Sequence, residues 1–444
     1  MKNRNTITTF TTILVALACL SILPMAQAVS PAPDGGYPGG NTAEGQNALL
    51  HLTTGTYNTA VGWSSLGFLT TGSLNTGIGV AALLFNTADQ NTATGAGALL
   101  SNTTGLNNTA NGAFALVNST EGSYNVAVGD QALFSNTSGS VNTAIGTGAL
   151  ANNLTGDHNT AVGGDFALFN NTTGHHNTAV GVNTLSFNTV GVQNTAVGAD
   201  ALENNTAFNN TAIGWSTLIV NTTGSINTAT GSAALLANTT GSNNTAVGAG
   251  ALPQNTIGTN NIAVGIDAGF NVITANGVIC IGADGNDVDN SCYIGNIFDA
   301  TSSDGVAVFI NSNGRLGTST SSRRFKEEIK PMDRVSEALF SLQPVTFRYK
   351  KQVDPEGNGK SQYGLVAEEV EKVNPDLVVR DKEGKPYSVR YEQVNAMLLN
   401  EFLKARRQID AQQKQIDALT AAVQKVSAQL EVSKAARRTV LNDQ

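Results

Sequence analysis

The sequence is nearly empty of positive charge over most of its length. No Lys or Arg occurs between Asn5 and Gly314, and 13% of the 444 residues are charged. Residues 1–320 hold three basic and fifteen acidic side chains, a net charge of −12, whereas residues 321–444 hold twenty-two and eighteen, a net charge of +4. Because neutralising phosphates requires cationic side chains, we expect no nucleic-acid partner for the N-terminal part. Two regions of different composition therefore meet near residue 320.

Cysteine and histidine are also scarce. Residues 321–444 contain neither, which excludes a local Ser-His or Cys-His nucleophile pair. Upstream, an exported chain could bridge Cys280 to Cys292, but these residues lie at different offsets before the glycines that follow them, so their pairing stays open. The four histidines, His51, His158, His175 and His176, fall at turn positions, and the acidic run 284–290 lacks the register and closing Glu of an EF-hand. We therefore predict no metal site and no cofactor.

The N-terminus predicts a secretory signal peptide. Lys2 and Arg4 precede an apolar run over 13–23, and Ala26-Gln27-Ala28 is a small-residue cleavage site. About eleven apolar residues are too few to span a bilayer. We expect cleavage after Ala28 and a mature chain that is secreted or held at the cell surface, with no transmembrane span.

A repeat of about seventeen residues fills most of the N-terminal region. The pattern Asn-Thr-Ala-Val-Gly, or a close variant, is followed each time by Gly-x-x-Ala-Leu and a turn of the type Asn-Thr-Thr-Gly. Its copies start at Asn41, Asn58, Asn75, Asn91, Asn108, Asn125, Asn142, Asn159, Asn177, Asn194, Asn210, Asn227, Asn244 and Asn261. Repetition at one period indicates a repeat architecture.

Each repeat predicts one coil of a parallel β-solenoid. Asn and Gly close two short runs of small or aliphatic residues, which fit two strands of about five residues better than helices. Equivalent positions would stack into ladders, with Ala, Val, Ile and Leu in a thin interior and Asn and Thr in hydrogen-bonded ladders at the corners. Fourteen coils at about 4.8 Å each would extend over roughly 67 Å. The predicted fold class is mostly β, a β-solenoid or β-roll followed by a small α+β domain and a trimeric coiled-coil helix.

These repeats resemble the heads of trimeric autotransporter adhesins, whose short Asn-x-Ala-x-Gly repeats form a β-roll assembled as a trimer. The likeness covers roughly residues 41–298. Towards its end the period is expected to shorten, with units opening at Asn276 and Asn290. Anchoring by that family's C-terminal membrane barrel is not expected.

After Ser319 the pattern changes to that of a small α+β domain. An amphipathic stretch over 327–342 precedes strand-like runs at 345–349 and 363–367, a helix at 368–373, and a strand pair around 377–380 and 387–391. The predicted organisation is a signal peptide at 1–28, a linker at 29–40, the solenoid at 41–300, a linker at 301–320, the α+β domain at 321–395, a coiled coil at 396–433 and a tail at 434–444.

A long final helix carries a heptad seam. Gly384 and Pro386 are the last helix breakers, and apolar residues then recur every seven positions. One row holds Phe402, Ile409, Ile416, Val423 and Leu430, and the other holds Leu398, Ala405, Gln412, Leu419 and Val426. Since packing on its own domain cannot bury so long a seam, we predict a coiled coil and a homotrimer.

Ser321 and Lys326 are the candidate catalytic residues. Without His or Cys, Lys is the available base, and a lysine serves when desolvation or neighbouring cations such as Arg323 and Arg324 lower its pKa. The two residues would lie on opposite faces of a strand and apart on a helix, so a dyad requires a turn between them. The residues alone leave a solvated basic turn as the alternative.

The whole C-terminal arrangement resembles the endosialidase-type intramolecular chaperone of phage tailspikes, fibres and some bacterial surface proteins. The motifs are SSRRFKEEI from residue 321, SLQPVTFRY from 341, YGLVAEEV from 363, and the terminal coiled coil, over about residues 319–420. Members trimerise, assist folding of the preceding β-fibre, and cut themselves off with a Ser-Lys dyad. The resemblance implies Ser321 as nucleophile and Lys326 as general base. Ser322 replaces the Asp or Asn common after the nucleophile, and is a candidate substitute nucleophile.

Three functions follow from these patterns. The leading one is an exported trimeric fibre or adhesin, with a surface glycan or other cell-surface ligand, whose C-terminal chaperone acts once on its own chain as a serine endopeptidase next to Ser321. The second is a structural or adhesive protein whose C-terminal module only trimerises it. A glycan-degrading solenoid is disfavoured, because acids such as Asp130, Asp165 and Asp200 are isolated.

Overall fold

A computed structural model describes residues 37–354 and 359–441, with side chains described up to residue 435. The predicted signal peptide with Cys19, most of the predicted 29–40 linker and the last residues of the predicted tail lie outside the described residues. The chain divides into two compact units, Met1–Ala300 and Thr301–Gln444. Each unit is described by itself.

Sixteen short strands form one parallel sheet in the first unit, in chain order. They are β1 Thr42–Glu44, β2 Thr59–Val61, β3 Thr76–Ile78, β4 Thr92–Thr94, β5 Thr109–Asn111, β6 Val126–Val128, β7 Thr143–Thr147, β8 Thr160–Asp165, β9 Thr178–Val180, β10 Thr195–Val197, β11 Thr211–Ile213, β12 Thr228–Thr230, β13 Thr245–Val247, β14 Ile262–Val264, β15 Ile279–Ile281 and β16 Cys292–Ile294. Equivalent repeat positions pair, as Thr59 does with Thr76. The predicted solenoid of about 17-residue coils is confirmed.

The second run of each repeat is a series of turns, so the prediction of two strands per coil was wrong. In the second coil Ser64 and Leu66 have φ values of 52° and 50°, in the left-handed region that interrupts extended backbone. Their N–H groups donate to the carbonyls of Gln46 in the preceding coil (2.8 Å) and Ala82 in the next coil (2.9 Å). Hydrogen bonds between coils thus pair the backbone N–H and C=O groups of the turns as they pair those of the strands.

The interior contains mainly alanine and leucine, with a few valines such as Val272 and Val278, whereas the valines and isoleucines that end the strand triplets face outward. Ala60 and Leu66 are fully buried. Val61 and Ile78, the third residues of β2 and β3, are 36% and 41% exposed. The reason is geometric: alternate strand residues point to opposite faces, and alanine is the middle residue of the triplet.

Most of the glycines that close the strands are required by the stacking of the coils. Gly62 has a φ of 122°, and a Cβ atom there would lie 2.5 Å from the carbonyl oxygen of Gly79 in the next coil. A side chain would both strain the backbone and collide with it. This explains why the repeat keeps Gly after Val or Ile.

The predicted asparagine ladder is confirmed. Asn75 donates its backbone N–H (2.9 Å) and its Nδ2 (3.1 Å) to Oδ1 of Asn58, one coil earlier. Threonines of the turns form a second ladder, in which Thr87 Oγ1 donates to the carbonyl of Thr103 over 2.7 Å. Both ladders repeat along the solenoid, so the identical side chains fix its register.

The seventeen-residue period persists further than the sequence predicted. Ile262 pairs with Ile279, seventeen residues on, and the period shortens to thirteen only between Ile279 and Cys292. The expected unit start at Asn276 was wrong, because Val278 continues the ladder by donating its N–H to Oδ1 of Asn261 (2.8 Å). The side chain of Asn276 instead accepts the N–H of a turn residue in the preceding coil.

Cys280 and Cys292 are both free thiols. Cys280 pairs with Tyr293 and is buried, whereas Cys292 pairs with Ile279 and is exposed, so the two side chains occupy different positions of neighbouring triplets. Burial is the main cause that raises the pKa of Cys280 to about 11. The offset in sequence therefore separates them, and the structure contains no bridge between them.

The second unit contains three two-stranded antiparallel sheets and two α-helices. Its elements are β17 Val308–Ile310, β18 Leu316–Thr318, 3₁₀ helices Arg323–Phe325 and Asp333–Ser341, β19 Val345–Phe347, β20 Gln362–Gly364, α1 Ala367–Val373, a 3₁₀ helix Pro375–Leu377, β21 Val378–Arg380, β22 Pro386–Val389 and α2 Tyr391–Leu441. The sheets pair β17 with β18, β19 with β20, and β21 with β22. A small core of Val370, Leu377, Val378, Val389 and Met397 joins α1, β21, β22 and the start of α2.

Helix α2 confirms the predicted long helix, and its seam is open to solvent in the single chain. The exposed seam residues are Leu398, Phe402, Ile409, Ile416, Leu419, Val423, Val426 and Leu430. Among the residues that the structure describes, no helix combines the length and the apolar character needed to cross a membrane.

Candidate active site

Ser321 and Lys326 are brought together by one turn of 3₁₀ helix. The turn spans Arg323–Phe325, with the N–H of Phe325 donating to the carbonyl of Ser322 (3.0 Å) and that of Lys326 to Arg323 (3.1 Å). Because the backbone is extended at both ends of the turn, the side chains of Ser321 and Lys326 lie on the same side of it. Lys326 Nζ donates to Ser321 Oγ over 3.1 Å. This is the turn that a dyad requires, and the distance lies within the range for direct proton transfer.

The surroundings of the pair are cationic and open. Ser321 and Lys326 are both exposed, as are Arg323 and Arg324 between them. The guanidinium of Arg324 lies 4.6 Å from the ring centre of Phe325, a cation–π contact. Three basic residues, Arg323, Arg324 and Lys326, thus lie within five residues of Ser321 in the sequence, and Lys326 is the one that contacts its hydroxyl.

Ser322, the candidate substitute nucleophile, is the residue at the start of the 3₁₀ helix. It precedes the 3₁₀ helix with extended backbone, φ −66° and ψ 141°, and its side chain makes no capping hydrogen bond. The hydrogen bond from Lys326 goes to Ser321. The geometry therefore favours Ser321 over Ser322 as the partner of the lysine.

A second serine–lysine contact lies in the same unit, and sequence reasoning missed it. Ser336 is fully buried in the 3₁₀ helix Asp333–Ser341 and bonds Glu401 of α2. Asn400 Nδ2 donates to Ser336 Oγ over 2.7 Å, and Lys404 Nζ lies 3.4 Å from it. A polar residue on the apolar side of the amphipathic 327–342 stretch was the signal that could have found it.

Charge pairing distinguishes this second contact from the first. Lys404 donates to Glu401 over 2.6 Å, and this hydrogen bond is the main cause that raises the pKa of Lys404 and lowers that of Glu401. A lysine held in its charged form cannot accept a proton from serine. The Ser336 cluster is therefore a structural contact between the 3₁₀ helix and α2.

Carboxylates and histidines of the solenoid are less isolated than the sequence suggested. Burial and the nearby charge of Asp200 raise the pKa of Glu203, so Asp200 has an acidic neighbour. The His158 and His176 rings stack at 4.8 Å, and Nδ1 of His175 lies 2.9 Å from Nδ1 of His176. Over the described ranges, no group of three or more His, Cys, Asp or Glu side chains could hold a metal ion.

Comparison with known proteins identifies one relationship. The family described as chaperone of endosialidase matches residues 321–379, a segment that begins at Ser321 and includes Lys326. The resemblance stated from the sequence motifs is thereby confirmed for the C-terminal module. No curated protein and no solved structure matches the chain.

Proposed function

We propose that this protein is an exported trimeric fibre, of adhesive type, whose C-terminal module assists its assembly and then releases itself by one autoproteolytic cut next to Ser321. The single observation that carries the cut is the 3.1 Å contact between Lys326 Nζ and Ser321 Oγ. The pair lies at the start of the segment that matches the chaperone family. It also follows the solenoid closely in sequence, so a cut there separates the solenoid from the chaperone module.

The chemistry requires no group from outside the chain except water. An unprotonated Lys326 takes the proton of Ser321, whose Oγ attacks a neighbouring backbone carbonyl carbon. The carbon–oxygen bond forms, the carbon–nitrogen bond breaks, and the proton passes from the lysine to the leaving amine. Water then hydrolyses the ester and restores the hydroxyl.

Trimerisation is supported by the long exposed seam of α2. Eight large apolar side chains of one seam remain in water in the single chain, which is costly at about 1.5–3 kcal/mol for each fully exposed side chain. A coiled coil of three copies covers them. It also brings three chain ends together, which raises the effective concentration of slow-forming parallel coils and sets their register.

The test is the fate of the expressed full-length chain on denaturing gels. We expect a fragment of residues 321–444 or its complement, detected by mass spectrometry, which also identifies the cut bond. Ser321→Ala should abolish the fragment, whereas Ser322→Ala should retain it. An uncut wild-type chain that is nevertheless trimeric would contradict autoproteolysis.

That outcome would establish the alternative function, a structural protein whose module only trimerises it. One observation favours this second candidate: both members of the dyad are solvent-exposed in the single chain, whereas electrostatic stabilisation of a reaction is strongest in a site that excludes water. Loss of the fragment in Ser322→Ala but not in Ser321→Ala would instead assign the nucleophile to Ser322.

A further inference from the structure

Three of the four histidines lie at one corner of the solenoid. His158 and His176 are the last residues of the seventh and eighth coils, and His175 directly precedes the second of them. The backbone N–H of His158 donates to the carbonyl of Ser140 over 3.1 Å. That of His176 donates to the carbonyl of Asp157 over the same distance, so the two histidines occupy the same position of neighbouring coils. We call the three exposed histidine side chains the histidine corner.

The contacts within the histidine corner limit its protonation. The rings of His158 and His176 are parallel with their centres 4.8 Å apart, and Nδ1 of His175 lies 2.9 Å from Nδ1 of His176. In this hydrogen bond one nitrogen donates and the other accepts, so the accepting ring is neutral, because a charged imidazole has a hydrogen on both nitrogens. When all three rings are charged, the hydrogen bond is therefore lost and the stacked rings repel each other.

The surroundings supply little negative charge to offset protonated histidines. From residue 138 to residue 194 the acidic side chains are Asp157 and Asp165, and neither Lys nor Arg occurs. Asp165 is the last residue of β8. Asp157 belongs to the corner, and its Oδ1 already accepts a backbone N–H of the preceding coil over 2.7 Å. The following coil presents the uncharged Val192 and Gln193 at the positions of the last two histidines. One carboxylate thus faces three histidines.

The histidine corner borders a coil that departs from the repeat. The eighth coil runs from Asn159 to His176 and has eighteen residues, one more than the coils on either side of it. Strand β8 is longer than its neighbours, and its register against β7 shifts. Gly163 lacks the left-handed φ of the glycines after the adjacent triplets, 129° at Gly146 and 133° at Gly181. The eighth coil is therefore irregular at its strand and joined to the seventh at its end by the stacked histidines.

We infer that the histidine corner is an acid-sensitive joint, which holds the end of the eighth coil against the seventh while a ring is neutral and opens when the rings are protonated. Histidine is the side chain whose charge ordinarily changes between about pH 5 and about pH 8, so the response falls in that range. Because the closed contact requires a neutral ring, opening takes up at least one proton, and acid favours the open form by up to about tenfold per pH unit for each proton. Each coil contacts only its neighbours, so one coil can open without unfolding the others.

Amide hydrogen exchange of the full-length chain, between about pH 7.5 and about pH 5.5, tests the joint. Protection factors, which remove the intrinsic effect of pH on exchange, are compared for the N–H groups of His158 and His176. Asn243 and Asn260 are the internal control, because their N–H groups make the same bonds to the preceding coil over 3.0 Å and no titratable side chain occurs between residues 204 and 266. We expect acid to lower protection at least about tenfold at the histidines and less than about twofold at the asparagines.

Three variants identify the group that responds to acid. His176→Gln removes both ring contacts and introduces the residue that the next coil has at this position, Gln193, so the protection of His158 should become independent of pH. His51→Gln is the matched control, because His51 is exposed and stacks on a phenylalanine ring away from the corner, and it should keep the wild-type response. Asp157→Asn should also keep it, because carboxyl groups ordinarily titrate below this range.

The outcomes concern the joint alone and leave the cut and the trimer untouched, since every comparison is made between corners of one chain. Equal loss of protection at the histidine and asparagine corners means general unfolding in acid and overturns the joint. Unchanged protection of the histidine corner at about pH 5.5, or an acid response that persists in His176→Gln, overturns it as well. Loss of the response in Asp157→Asn but not in His176→Gln assigns the response to the carboxylate and also overturns the inference.

Discussion

Asn400 of α2 donates its Nδ2 to the buried Oγ of Ser336 over 2.7 Å, which joins the long helix to a 3₁₀ helix 64 residues earlier in the chain. Ser336 also contacts Glu401 and Lys404. The second unit thus contains two serines within reach of a lysine, one buried and paired, the other exposed beside arginines. The contrast predicts different consequences for their removal.

Ser336→Ala should destabilise the module without stopping the cut. Its loss removes one partner each from the half-buried amide of Asn400 and the carboxylate of Glu401, which lowers the free energy of unfolding of the module. Urea unfolding followed by the near-ultraviolet signal of the module measures the change. The fragment yield at low temperature should match the wild type. An uncut but stably folded Ser336→Ala chain would mean that this serine takes part in the chemistry.

Lys326→Met should remove the fragment while retaining the trimer, because methionine keeps the length of the side chain but cannot accept a proton. Lys330 is the matched control, since it is exposed in the same segment and pairs with Glu328 at 3.7 Å. Lys330→Met should cut at the wild-type rate. Time courses on denaturing gels compare the two. Equal rates in both variants would exclude Lys326 as the base.

The repeat predicted the solenoid because its period is visible from the spacing of successive copies. It did not predict which of its apolar residues lie in the interior of the solenoid. Ala60 and Val61 are both apolar, and only the three-residue length of the strand decides that alanine faces inward. The turn geometry was equally hidden, since leucine at φ 50° is unusual and Leu66 reaches it through bonds to neighbouring coils.

The candidate site was likewise predicted only in part from the sequence. The spacing of Ser321 and Lys326 showed that a turn was required, and the structure supplies a 3₁₀ turn. The Ser336 cluster joins segments more than sixty residues apart, so the local pattern could single out Ser336 as a polar residue on an apolar side but could not identify its partners on α2. The sequence predicts features that repeat or that join residues close in the chain. Contacts between distant segments, such as the Ser336 cluster, require the three-dimensional structure.

Asn142→Ala should weaken the solenoid strongly at one coil. Asn142 Oδ1 accepts both the N–H (3.0 Å) and Nδ2 (3.2 Å) of Asn159, and its own Nδ2 donates to Gly156. The Nδ2 of Asn142 also donates to Oδ1 of Asn125 (3.2 Å), so four buried groups lose a partner, which costs about 3 kcal/mol or more. Asn152→Ala, a part-buried asparagine outside this ladder, should cost less than about 1 kcal/mol. Amide hydrogen exchange of the flanking coils reports the difference, and equal protection in both variants would contradict a ladder that carries stability.

Asp287 should make the last coils sensitive to acid. Burial raises its pKa, but the N–H groups of Ile273, Ala275 and Thr274 outweigh burial and lower it below the usual value. A carboxylate whose pKa is lower in the folded state stabilises that state fully at pH values above its unfolded-state pKa, near 4. This stabilisation is lost as the pH falls through the pKa of the folded state. Asp287→Asn should cost up to about 1 kcal/mol at neutral pH, because the site is solvent-screened.

Hydrogen exchange at residues 273–275, measured from pH 7 towards pH 3, follows this contribution. Protection should fall with acid in the wild type and be lower and flatter in Asp287→Asn. Asp304→Asn, an exposed carboxylate outside the solenoid, serves as the control and should behave as the wild type. A wild-type profile without acid dependence would show that the carboxylate is not the group that holds the turn.

Ile416→Asp should dissociate the proposed trimer. Ile416 lies in the middle of the heptad seam and is exposed in the single chain, so its burial occurs only in an assembly. Each isoleucine contributes about 1.5–3 kcal/mol on burial, and an aspartate at the same position adds the cost of desolvating a charge in every copy. Ala421→Asp places the same charge on the opposite side of the helix and should leave sedimentation unchanged. If Ile416→Asp still sediments as a trimer, the seam does not hold the copies together, and another surface of the chain must do so.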